Sequence, residues 1–196
     1  MKKQPEITER TRRRFVEAFW ELAKEKPIRK IAVNELTRRA GYNRSTFYEY
    51  FTDTDDLLSY AEQDVLEEIR QTIVRTLPED DALGNLFQTD LFPRIFAAMN
   101  EKMYILMGPN GDPGFLPLVK AELIPLVIPH IPISADNPDF NYLIGFVSSA
   151  MFGLLQQWNE QGKDISTDEF SKMMQTLVLQ GLSAFIPTAA KQTEPE

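Results

Sequence analysis

The sequence predicts an all-α protein. Two short amphipathic segments, 33–40 and 44–50, flank a turn containing Gly41. A longer apolar series runs from Leu57 to Ile73, and the last third repeats apolar residues every three or four positions. Those periods belong to helices rather than strands. With 196 residues, 43% of them hydrophobic, the chain can bury a substantial core. The natural division is a small domain over 1–52 and a larger helical one over 53–196.

Charge divides the same way. Residues 1–50 carry 13 Lys/Arg against 7 Asp/Glu, a balance of +6, whereas the remainder carries 8 against 22, or −14. A basic segment ahead of an acidic body suits a phosphate-rich partner, with the body orienting the approach. The absence of Cys removes disulfides and thiolate metal sites and fits a reducing compartment. The first ten residues lack the apolar stretch of a signal peptide. The longest nearly apolar run, 142–155, is too short for the roughly 20 residues of a membrane span. A cytoplasmic protein with no membrane partner is therefore expected.

The first seven residues read as a polar arm in which Lys2 and Lys3 could lie along a polyanion. Thr8 suits a helix cap, and Phe15, Ala18, Phe19 and Leu22 mark the buried stripe of a helix ending before Pro27. Arg12, Arg13 and Arg14 either keep this helix soluble or include a phosphate contact. Val33, Leu36 and Ala40 give the second helix its apolar face. Gly41 follows where a left-handed residue ends a helix most cheaply. Asn43 is a good N-cap for a third helix over 44–50.

A helix, a Gly-containing turn and a second short helix make a helix-turn-helix. Only Phe47 and Phe51 anchor the last of these helices. Arg44, Ser45, Thr46, Tyr48 and Tyr50 offer hydrogen-bonding groups, a surface suited to the major groove of duplex DNA. The alternative is a solvated helix in an all-α protein. The first helix should cross the other two through Phe15, Phe19, Leu36, Phe47 and Phe51. Thr52, Asp53 or Thr54 should cap the long fourth helix, with Asp55 and Asp56 at its positive end. The alternation of acids in this stretch lacks the Gly and distal Glu of a calcium loop.

The string AGYNRSTFYEYFTDTDDLL closely resembles the TetR family signature, over about residues 8–58. NRSTFYEYF also looks like the branch containing dihydroxyacetone-kinase regulators. The resemblance implies about nine helices, a ligand-binding and dimerising C-terminal domain, and a homodimer on a pseudo-palindromic operator. It assigns DNA contacts to Asn34, Tyr42, Asn43, Arg44, Ser45, Thr46, Tyr48, Tyr50 and Thr54. Two residues depart from the pattern. Thr54 stands where a phosphate-binding Lys is usual, and Ala32 where Thr or Ser caps the first motif helix, leaving that end less firmly held.

Residues 79–135 break into shorter helical segments around 86–88, 93–107 and 115–127, separated by the turn-rich GPNGDPG and IPHIPIS. Pro125 should kink or end the last. Phe87, Phe96, Met99, Met103, Tyr104, Met107 and Phe115, with Phe146, could line a small-molecule cavity or simply fill a core. The effector is not identified by these residues. His130, the single histidine, has no acid or nucleophile beside it and reads as structural. With no Cys, no phosphate-cradling loop and no nucleophile motif, neither an enzyme nor a cofactor is expected.

Phe140, Ile144, Val147, Met151, Leu154 and Trp158 recur at spacings of four and three, a seam of 3.5-residue period. Gly162 ends that helix, and Ser166 or Thr167 starts another. The next helix continues the pattern through Phe170, Met174, Leu177, Gly181 and Ala184 and closes at Pro187. Two antiparallel helices with more apolar face than one chain can cover suggest a dimeric four-helix bundle; an intramolecular core is the alternative. The functional expectation is a DNA-binding regulator, a repressor released by a small apolar ligand. The alternative is a regulator or co-activator whose body binds a protein partner.

Overall fold

The computed structural model describes residues 5–77, 101–127 and 136–182. They are all-helical, with no strand among them. The helices are α1 (Pro5–Glu25), a 3-10 turn (Ile28–Lys30), α2 (Val33–Ala40), α3 (Arg44–Tyr48), α4 (Thr54–Thr76), α5 (Glu101–Met107), α6 (Phe115–Val127), α7 (Phe140–Glu160) and α8 (Thr167–Leu182). The described residues cluster into two compact units, 5–69 with 101–119, and 70–77 with 120–127 and 136–182.

In the first unit, α1 starts at Pro5, so Thr8 lies inside the helix instead of capping it. Proline is preorganised for a first helical turn, where its missing N–H costs nothing. Phe15, Phe19, Leu36, Phe47 and Phe51 are all buried, as their spacing implied. Their rings pack edge-on: Phe15 lies 5.3 Å from Phe47 and 6.3 Å from Phe51, both nearly perpendicular. Such contacts hold two short helices against α1, which neither could do by propensity alone. At Gly41, φ is 76°, and the Tyr42 N–H donates to Thr37 O at 2.9 Å, closing α2 in the left-handed geometry expected.

The N-terminus of α2 has no side-chain cap at Ala32. It is held instead by Glu35, whose Oε2 accepts the Ala32 N–H at 3.2 Å and pairs with Lys26. The hydrogen bond from Lys26, then that from Ala32, hold the Glu35 carboxyl below its ordinary range. Asp53 is the cap of α4, accepting from the Asp55 and Asp56 N–H groups at 3.0 and 2.9 Å. Asp56 reaches back to the Thr52 N–H at 2.8 Å. These acids are thus helix-end groups.

The same unit contains α5 and the turn that follows it. Asn110 O accepts the Ile28 N–H at 3.0 Å, Lys24 pairs with Glu101 at 2.6 Å, and Arg29 stands 3.8 Å from Asp112. The turn is tight: a Cβ on Gly111 would lie 2.0 Å from Leu106 O, so only glycine fits. Met103 and Phe115, expected around a cavity, are buried here, while Tyr104 and Met107 are half-buried. Burial pushes the Tyr104 phenol up. Phe87, Phe96, Met99 and His130 lie outside the described residues.

The second unit is built on α7 and α8. Pro125 does not end α6, which continues to Val127; lacking an N–H, it leaves the Ala121 carbonyl without its i+4 donor, a loss confined to the last turn. Gly162 and Lys163 take left-handed conformations after α7. Ser166 and Glu169 form a reciprocal cap before α8: the Glu169 N–H donates to Ser166 Oγ, and Glu169 Oε2 accepts the Ser166 N–H.

The residues of the expected seam divide between the core of the chain and its edge. Trp158 stacks on Phe170 at 4.4 Å, and its Nε1–H donates to Ile165 O at 2.9 Å. Trp158, Phe170 and Met174 are buried inside the chain. Phe140, Ile144, Val147, Met151 and Leu154 are half-buried at the edge of this core. The exposed apolar face lies slightly around the helices: Tyr142 is 80% exposed and Phe146 57%, with Met173 and Leu177 beside them in type. Phe146 lies on the surface of the chain. Gly181 admits its ring, because a Cβ there would sit 3.3 Å from Phe146 Cε1. Ala184 lies outside the described residues.

Candidate nucleic-acid interface

Helix α3 is shorter than its sequence pattern, ending at Tyr48, with Glu49 and Tyr50 in the turn beyond. Phe47 is its buried anchor. Arg44, Ser45 and Tyr48 are exposed, Tyr48 by half its surface, and Thr46 is partly covered. The element thus presents polar groups on one side and a single large apolar side chain on the other. That division, rather than helix length, is what a recognition helix requires.

Its start is closely fixed. Asn43 is extended, with φ −94° and ψ 170°, and its Oδ1 accepts from the Thr46 N–H at 2.8 Å. Ser45 Oγ and Thr46 Oγ1 also reach that oxygen, at 2.7 and 3.0 Å. One helical turn on, Arg44 Nη2 donates to Tyr48 Oη at 3.2 Å, and the guanidinium lies 5.9 Å from the Tyr48 ring centre. Arg44 is therefore drawn along α3 before any partner arrives. An arginine so aligned loses less rotamer freedom on binding than a free one.

The other expected contacts are distributed around this helix. Asn34 is exposed in the first turn of α2. Tyr42 leans on Phe15 with ring centres 5.4 Å apart, which directs the half-buried phenol from the turn. Tyr50 is half-buried just after α3, and Thr54 is the first residue of α4. Structure separates the basic residues that the sequence left equivalent. Arg12 pairs with Glu9 at 3.7 Å and lies over the Tyr60 ring at 5.2 Å. Arg14 pairs with Glu17 at 3.5 Å, leaving Arg13 as the most open of the three by geometry. Arg39 is clamped by Glu21 and Glu25, which raise its pKa, with Glu25 the larger cause. Its ion pairs serve the fold of the head; both it and Arg38 are exposed on α2. The Arg39 pairs and the Arg12–Tyr60 contact cross elements, so no local motif announced them, whereas Arg12–Glu9 and Arg14–Glu17 are neighbours one turn apart on α1.

Among the described residues no helix is long and apolar enough to cross a membrane, and no group of three or more His, Cys, Asp or Glu is arranged to hold a metal ion.

Comparison with known proteins places this geometry. Residues 15–61 match the family model of bacterial regulatory proteins of the tetR family. Residues 89–180 match the model of a transcriptional regulator C-terminal region. No curated protein sequence matches the chain. A solved structure, a dihydroxyacetone kinase operon activator, is 16% identical, with a TM-score of 0.50 over 90% of this chain and 98% of that one. At that identity the likeness concerns the fold. The two family models cover the exposed helix-turn-helix and most of the helical body, and the chain belongs to the tetR family as a DNA-binding transcriptional regulator.

Proposed function

We propose that the chain acts as a homodimeric repressor of a pseudo-palindromic operator and is released from it by a small apolar ligand. The observation that carries the DNA half of this reading is α3, where Arg44, Ser45 and Tyr48 are exposed beside a buried Phe47. Two such helices, related by a two-fold axis, would enter successive major grooves about 34–36 Å apart. Arg44 would favour guanine and Thr46 a thymine methyl, with Ser45 and Asn34 adding base-edge contacts. Tyr42, Asn43, Tyr48, Tyr50, Thr54 and Arg13 would meet phosphates, which fix register but carry no sequence. The domain division at about residue 52 follows the change of charge.

Dimerisation is supported by the exposed face of α7 and α8, which includes Tyr142, Phe146, Met173 and Leu177. Ligand release is supported by the apolar and Met-rich character of 87–115. An effector in the body that favours one arrangement of the heads changes operator affinity, and operator DNA changes effector affinity by the same factor. A second reading, a regulator whose body binds a protein partner, draws on the same exposed face, which a different chain could cover as well as a second copy.

Footprinting on the DNA flanking the chain's own gene tests the first reading. Protection of two half-sites one helical turn apart is expected, lost on adding the effector. A single unpaired footprint, or one that only a partner protein alters, moves the assignment to the second.

A further inference from the structure

Asn43, Ser45 and Thr46 form a hydrogen-bond set whose polarity can be assigned. Asn43 accepts the Thr46 N–H at 2.8 Å, and a backbone N–H only donates. The amide of Asn43 is therefore turned with its oxygen toward α3 and its nitrogen away. An amide oxygen carries no proton, so Ser45 Oγ at 2.7 Å and Thr46 Oγ1 at 3.0 Å can reach it only as donors. Oδ1 has two lone pairs and three donors within reach. The backbone N–H is fixed and the Ser45 hydroxyl is the closest; these two fill the oxygen. The Thr46 hydroxyl, at the longest distance, is left able to turn. Ser45 has a single hydroxyl hydrogen, and with that hydrogen directed at Asn43 an exposed side chain offers only lone pairs outward.

We propose that Asn43 is a specificity-positioning residue: it fixes Ser45 as a hydrogen-bond acceptor toward DNA, so that Ser45 reads an exocyclic amine, adenine N6 or cytosine N4, and not a base carbonyl. The inference rests on the DNA-binding reading above. An unconstrained serine hydroxyl rotates to suit either group. Here, turning its proton outward to donate to guanine O6 or thymine O4 breaks the contact to Asn43, and this cost sets the selectivity. Thr46 keeps both options and adds its methyl group.

The test uses duplexes enriched from a random pool by the full-length chain. At the base pair whose preference flattens in Ser45→Ala, two kinds of analogue are compared. Purine for adenine, or 2-pyrimidinone for cytosine, removes the amine. Removal of the carbonyl uses 2-aminopurine for guanine or 5-methyl-2-pyrimidinone for thymine. Loss of the amine should weaken the parent about two- to tenfold, a single hydrogen bond's worth, and leave Ser45→Ala unaffected. Loss of the carbonyl should change neither. Asn43→Asp keeps the oxygen and should keep this discrimination despite its charge, whereas Asn43→Gly still starts the helix but should abolish it. Greater sensitivity to the carbonyl, no position flattened by Ser45→Ala, or discrimination surviving in Asn43→Gly overturns the proposal. A pool that yields no enriched duplex overturns instead the reading on which it rests.

Discussion

Glu62 on α4 faces Asp112 in the turn after α5, and its buried Oε1 has no hydrogen-bond partner. Glu62 is only 7% exposed. Burial, and then the neighbouring Asp112, push its pKa from 4.5 to about 7. The folded chain thus binds a proton that the unfolded chain gives up, and the bound proton supplies the hydrogen for a Glu62–Asp112 contact. Arg29 stands 3.8 Å from Asp112. The stabilisation is fully present below 4.5 and disappears as pH rises through about 7.

The first prediction concerns pH. Between pH 5 and 8 the urea midpoint, followed by the fluorescence of buried Trp20 in a Trp158→Phe background, should fall by up to about 3 kcal/mol in stability. Glu62→Gln, neutral and of the same shape, should remove that slope and exceed the parent at pH 8. Glu35 and Glu169 are lowered, so their contributions vanish only on acidification below the usual carboxylate range, outside this window. A slope that survives in Glu62→Gln assigns the proton elsewhere.

Arg44→Ala should cost about 1–3 kcal/mol on the specific duplex and relax preference at one base pair. Tyr48→Phe removes the oxygen to which Arg44 donates and a phosphate donor at once, yet leaves the guanidinium in place. It should weaken binding to all duplexes by similar factors. Competition titrations against enriched and scrambled DNA separate the two. Equal binding by both variants and the parent contradicts the assigned interface.

Local chemistry made the head legible. Gly41 sits at the left-handed end of α2 and Asn43 at the cap of α3, because a left-handed residue and a side-chain cap each admit few residue types. Pairings across elements were not readable. Lys26 and Glu35 meet across a turn, and Glu62 stands among Gln63, Asp64, Glu67 and Glu68 as one more apparent surface acid. In α7 the 3.5-residue period was visible, but a helix apolar on several sides does not reveal which side its own chain covers. Stacking of Trp158 on Phe170 decides that, and it depends on partners in two helices.

Ala32 offers a stabilising change. The N-terminus of α2 has Glu35 reaching back to the Ala32 N–H but no side chain reaching forward. Ala32→Thr supplies the missing oxygen at an already extended residue, φ −109° and ψ 150°. Completion of the reciprocal cap should raise stability by about 1 kcal/mol in thermal or urea unfolding, with DNA affinity little changed. No gain would mean that Glu35 and Lys26 alone satisfy that helix end.

The last prediction separates surface from core on α7 and α8. Leu177 is about half exposed, so charge there disturbs little packing within the chain; Phe146 is exposed to a similar degree and gives up only its contact with Gly181. If a second copy covers this face, Leu177→Glu and Phe146→Glu should sediment as folded monomers with unchanged helical circular dichroism. Each should also lose most of its operator affinity, because one head then binds without the effective concentration supplied by the other. Trp158→Ala should behave differently. It removes a ring stacked on Phe170 and a hydrogen bond to Ile165, and should cost about 3–5 kcal/mol in unfolding whatever the oligomeric state. Dimers that persist in both charged variants place the subunit contact on another surface, and the exposed apolar face would then belong to a different partner.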